Sequence, residues 1–140
     1  MSAPEEAGFV GAKRLLAHEG ASDGSSAECA VAAGRVYDKL NARLGPLLGV
    51  AGVRALFARS AKLAGRDLGV LAGVEFFESS TTLSAFLHEL EPAVAHKAAE
   101  ALLGTFLSLI TTFIGERLTH QVLRGAWPTL ADSAPREIEK

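Results

Sequence analysis

The chain has 140 residues, 14 Lys and Arg against 16 Asp and Glu, and 49% apolar residues. That length suits one domain with a substantial core, and the near-neutral charge excludes a general nucleic-acid binder, which needs a large basic excess to neutralise phosphates. A single cysteine excludes a disulfide framework and makes the reducing cytoplasm the expected compartment.

The first residues, MSAPEEAGFVGAKRLLAHEG, open on two acids and lack a basic-then-apolar run, so a secretory signal is not expected. Residues 1–24 read as a flexible N-terminal arm ending in the Gly/Ser-rich stretch GASDGSS. Phe9, Val10, Leu15 and Leu16 give this arm a short amphipathic turn suited to docking on the domain or on a partner. Residues 25–128 then form the helical bundle domain, and 129–140 a frayed C-terminal tail.

Ser25 and Glu28 stand at capping-box spacing, which predicts a helix start. Cys29, Ala33, Val36, Leu40 and Leu44 follow at steps of three and four, a single apolar stripe. Arg35, Lys39 and Arg43 make a separate basic stripe, a candidate contact surface for an acidic partner. Gly45-Pro46 is expected to close this helix, since proline cannot continue the hydrogen-bond ladder.

A second helix is predicted from Leu47 or Val50 to Ala64, with Val50, Val53, Leu56, Phe57 and Leu63 inward. Gly45, Gly49 and Gly52 lack the preceding strand and Gly-Lys-Ser/Thr ending of a phosphate loop, so close packing of two helices is the expected reason for them. From Arg35 to Arg66 the cations Arg35, Lys39, Arg43, Arg54, Arg59, Lys62 and Arg66 face only Asp38, a basic platform within a chain of net charge −2. Asp67–Glu78 reads as a broken helix and linker, with Phe76-Phe77 plugging the bundle end. Ser79 to Thr82 supply caps for a third helix with Leu83, Phe86, Leu87 and Leu90 inward, and Pro92 predicts a break at Glu91.

The longest apolar stretch is Ala98–Trp127. Leu102, Leu103, Phe106, Leu107, Leu109, Ile110, Phe113 and Ile114 fill one broad helical arc, and Gly104, Ser108, Thr111 and Gly115 lie on an opposite seam of small residues. Such a seam admits a close backbone, and its hydroxyls can bond back to their own helix. The charge-free run Ala101–Gly115 is shorter than the roughly 20 residues a membrane span requires, so a span is not expected. Beyond Gly115 the apolar positions shift to Leu118, Val122 and Leu123, and Arg117, His120 and Arg124 take one cationic face. The helix is therefore expected to bend at Gly115 or leave the core there. Gly125 reads as the residue just past the helix and Pro128 as the stop, with Trp127 folding back.

These patterns predict an all-α fold: a compact bundle of about four main helices around a long apolar central and C-terminal helix. No catalytic constellation, metal set or cofactor motif accompanies it: Glu116 and His120 are too few for a metal, and Cys29 has no neighbouring base. The expected function is a non-catalytic helical interaction or oligomerisation module, regulatory or complex-assembling. Its expected partners are a second copy in a homodimer or another protein. The first alternative is a small-molecule or lipid carrier, with Leu102, Phe106, Leu109 and Phe113 lining a pocket and Arg117, His120 and Arg124 at its mouth. A third is phosphotransfer through His96. His96-Lys97 is similar to histidine-phosphotransfer modules over those two residues only, because the lysine follows directly rather than one turn later and Ala98 replaces glycine.

Overall fold

Ser25 Oγ accepts the Glu28 amide at 3.0 Å, and from that cap helix α1 runs Ser26–Leu48. The computed structural model describes residues 14–19, 25–72 and 80–127, and all regular structure among them is α-helical. After α1 come α2 (Val50–Ala64), the short α3 (Gly69–Ala72), α4 (Ser80–His88), α5 (Pro92–Ile114) and α6 (Glu116–Ala126), preceded by a helical turn at residues 14–18. The fold is all-α and compactly packed.

The predicted stripe of α1, from Cys29 to Leu44, is at most 1% exposed, and Ala30, Ala32 and Tyr37 widen it. Two helices of 23 residues each, α1 and α5, share the centre: α1 packs against α2, α4, α5 and α6, and α5 against α1, α2, α4 and α6. A column of three rings ties them together. Tyr37 of α1 stacks on Phe57 of α2 at 4.3 Å between centroids, and Phe57 stacks on Phe106 of α5 at 3.9 Å. Offset stacking of this kind adds to the burial of large apolar rings.

Cross-helix contacts fix the directions. Ser26 donates to the Leu90 carbonyl, Ser84 to the Ala30 carbonyl at 2.8 Å, and Gly34 lies against Ser80 and Ser84, so α4 runs antiparallel to α1. Because α4 ends beside the start of α1, α5 begins there too and runs parallel to α1, whereas α2 returns antiparallel. Pro92 occupies the first turn of α5, where its missing N–H costs nothing, and Glu91 before it is extended, which is the predicted break.

Both long helices end in the same way. Gly49 has φ 84° and ψ 151°, Gly115 has φ 92° and ψ 159°, and each single residue joins one helix directly to the next. That backbone region is open essentially to glycine alone. The expected change of direction at Gly115 is thus a corner between two helices rather than a bend. Val122 beyond it is buried, Leu118 and Leu123 are half-buried, and Thr119 Oγ1 bonds back to the Gly115 carbonyl at 2.8 Å.

Several expectations need correction. Helix α1 passes through Pro46 and stops at Gly49, because a proline two residues from a helix end deprives a single carbonyl of its partner. Gly45 and Gly49 meet no other atom within 4 Å of a would-be Cβ, so close helix packing does not explain those two, whereas at Gly52 a Cβ would stand 3.3 Å from Leu48 Cβ at the end of α1. Among the described glycines the tightest approach is at Gly34, where a Cβ would stand 2.5 Å from Ser84 Oγ. Val50 and Phe113, placed inward by their helical angle, are 52% and 68% exposed. Gly125 lies inside α6, and Trp127 is the cap residue, 2% exposed against the core. Of the two docking options for the turn within residues 1–24, Leu15 and Leu16 take the domain itself: they are 4% and 3% exposed and belong to the core. Residues 1–13 and 20–24, the aromatic pair Phe76-Phe77, Pro128 and the tail 129–140 lie outside the described residues.

Helix α5 is long and apolar enough to cross a membrane by length and composition. Its inner face, including Leu102, Leu103, Phe106 and Ile110, is spent on the core.

Candidate docking surface

The basic stripe of α1 lies on the surface, with Arg35 and Arg43 exposed and Lys39 half-buried, and it is tied to other parts of the chain. Glu19, 8% exposed, accepts Lys39 Nζ and the Trp127 indole N–H (2.7 Å) on the same carboxylate oxygen, while its backbone carbonyl accepts Arg35 Nη1 at 3.0 Å. Lys39 also sits 5.7 Å from the centre of the Trp127 ring. Burial alone would raise the Glu19 carboxyl pKa, but the hydrogen bonds from Lys39 and Trp127 outweigh it and hold it below the usual value. Arg43 lies across Gly125 of α6, its Nη1 3.0 Å from where a Cβ would stand. Arg35, Lys39 and Arg43 therefore clamp residues 14–19 and the end of α6 onto α1. Glu19 was invisible as a site residue in the sequence, since its main partner Trp127 is 108 positions away.

The second candidate face, Arg117, His120 and Arg124, is exposed along α6. Glu116 is exposed beside it. The small seam of α5 is split: Gly104 is buried, Ser108 and Thr111 half-buried, Gly115 exposed. Thr111 Oγ1 bonds back to the Leu107 carbonyl at 2.8 Å, so its hydroxyl is satisfied within its own helix.

The residues assigned to a carrier pocket are divided between two environments. Leu102 and Phe106 lie in the core, with one face of the Phe106 ring covered by Phe57, whereas Phe113 stands on the outside. Cys29 is fully buried, and burial, reinforced by Glu100, pushes its thiol up to about 11. A thiol so placed is protonated and inert at neutral pH. His96 is half-buried, and its Nε2 is sealed from solvent without a hydrogen-bond partner. That nitrogen is closed to an external phosphodonor.

One surface was not foreseen. Since α1 and α5 run parallel, the Gly49 and Gly115 corners occupy the same end of the bundle. Phe57 and Phe106 stack in the core, Val50 lies seven residues before the one and Phe113 seven after the other, and α2 and α5 are antiparallel. Two helical turns are about 10 Å, so both side chains reach this end together. Leu47, 51% exposed, precedes Gly49 and joins them. Among the described residues four large apolar side chains are exposed, and three of them are here; Val31 is the other. Arg54 stands four residues after Val50 on the same face of α2, and Arg117 follows the Gly115 corner; both are exposed.

No protein-family model, curated protein or solved structure matches this chain.

Proposed function

We propose that this protein is a non-catalytic docking module that meets its partner through the end of the bundle carrying the two glycine corners. The observation that supports this is the gathering of Leu47, Val50 and Phe113, each at least half exposed, beside exposed Arg54 and Arg117. Large apolar side chains grouped on a surface cost solubility without adding to the core, and they mark contact sites. The chemistry-bearing groups point the same way: the Glu19 carboxylate is consumed in tying chain segments together, and the Cys29 thiol is sealed in the core.

A photoreactive phenylalanine analogue placed at Phe113, with a second protein carrying it at exposed Ala85 of α4 as control, tests the proposal in the native host. Adducts at position 113 and none at 85 are expected, whether the captured species is a second copy, another protein or a lipid. Absence of adducts at 113, or equal labelling at both positions, overturns it.

A further inference from the structure

Resting on that reading of the corner end, the geometry points to its partner: we infer that Leu47, Val50 and Phe113 dip into an anionic lipid surface while Arg54 and Arg117 meet its headgroups. Three observations select this occupant. First, the apolar side chains protrude. Exposures of 51%, 52% and 68% leave half or more of each residue open, whereas a groove for a peptide helix would shelter its lining. A flat lipid interface accepts protruding tips without a complementary cavity, and partial burial of apolar groups at the headgroup boundary gives reversible attachment.

Second, the local charge is one-sided although the chain as a whole is slightly acidic. Residues 40–59 contain Arg43, Arg54 and Arg59 and no Asp or Glu, and residues 105–125 contain Arg117, His120 and Arg124 against Glu116 alone. Arg54, Arg59, Arg117 and Arg124 are all exposed. Arg54 and Arg117, the cations beside the apolar tips, are complementary to an anionic leaflet, toward which each such side chain is attracted over about a Debye length. Third, the patch is small. Three side chains of this size, half to two-thirds exposed, present on the order of 300 Å², well short of the roughly 800 Å² per partner that a stable protein interface buries. A lipid surface needs no such area, because many molecules bind one vesicle independently.

Co-sedimentation of the full chain with phosphatidylcholine vesicles, and with vesicles that also contain phosphatidylglycerol, tests the assignment. Binding is expected to the anionic vesicles and to weaken with added salt. It is expected to fall at least about tenfold in the Leu47→Ser/Phe113→Ser double variant, and by a similar factor in Arg54→Glu/Arg117→Glu. Val31→Ser, an exposed apolar change on another part of α1, is expected to leave it unchanged. Far-ultraviolet circular dichroism checks that each variant keeps its helices. Failure to bind anionic vesicles, or binding that none of the corner variants weakens, overturns the lipid assignment. If vesicles are not bound but the probe at Phe113 captures a protein or a second copy, the docking end stands and only its occupant changes; if the probe captures nothing, both fall.

Discussion

The most informative stability experiment removes the Glu19 carboxylate. In Glu19→Ala the Trp127 indole N–H, on a residue 2% exposed, loses its acceptor, and an unsatisfied buried donor costs about 1–3 kcal/mol. The ion pair with Lys39 adds less. The Lys39 side chain is 42% exposed, so solvent screening limits that pair to about 0–1 kcal/mol. The expected loss is therefore about 1–4 kcal/mol. Glu19→Gln keeps an acceptor for Trp127 and is expected to lose about half as much. Because Trp127 is the only tryptophan, its fluorescence reports the site directly during urea unfolding, with circular dichroism as the global signal.

Acid gives a second, independent readout. The folded Glu19 carboxyl has a lowered pKa, so the native state binds that proton less readily than the unfolded chain. The group therefore adds stability above the unfolded value of about 4.3, and the contribution is lost as pH falls through the lower folded value. The gap between the native protein and Glu19→Gln should be full at pH 6 and shrink toward pH 3. A Glu19→Ala loss below about 0.5 kcal/mol, the scale of an ordinary surface change, would refute the claim that this carboxylate fastens residues 14–19 to the end of α6.

Four further outcomes are expected. Gly115→Ala should cost about 1–3 kcal/mol, because alanine is strained at φ 92°, whereas Gly45→Ala, inside α1 with open space around it, should be neutral or stabilising; chemical denaturation separates them. Gly34→Ala would set a Cβ 2.5 Å from Ser84 Oγ and should destabilise the α1–α4 contact, with Ser84→Ala partly restoring stability in the same background despite its own cost; a double-mutant cycle reads that coupling. Cys29, with its thiol pushed up to about 11, should resist a disulfide reagent at pH 8 in the folded protein and react promptly in urea. Phe106→Ala should cost about 3–5 kcal/mol by opening the ring column, while Phe113→Ala, one heptad along the same helix, should fall within about 0.5 kcal/mol of the native protein.

That last pair shows what the sequence carried and what it did not. Periodicity found the stripe of α1, the Ser25 cap, the break before Pro92 and the inward angle of Phe106, since each depends on residues within a turn or two. It also found the change of face beyond Gly115. Phe113 and Val50 lie at the correct angles for burial, but a helical wheel has no axial coordinate, and these residues stand at the very ends of their helices. The basic stripe at Arg35, Lys39 and Arg43 was legible as a pattern, yet its occupant was not. Glu19 looks like one more charge in a polar arm until the fold brings Trp127 beside it. Gly45 and Gly49 are likewise indistinguishable in composition, and only the positive φ at Gly49 marks it as the corner.

The two corners also explain why the apolar tips exist at all. A loop of several polar residues would let each helix end one turn earlier and would lay hydrated backbone over the end of the core. A single glycine gives no such cover, so Leu47, Val50 and Phe113 stay exposed beside the corners while Leu48 and Ile114, next to the glycines, are half-buried. A polar side chain would cost the fold least at Phe113, which is 68% exposed, and more at Leu47 and Val50, which keep about half of their surface covered. The apolar surface they leave open is what the proposed docking role accounts for.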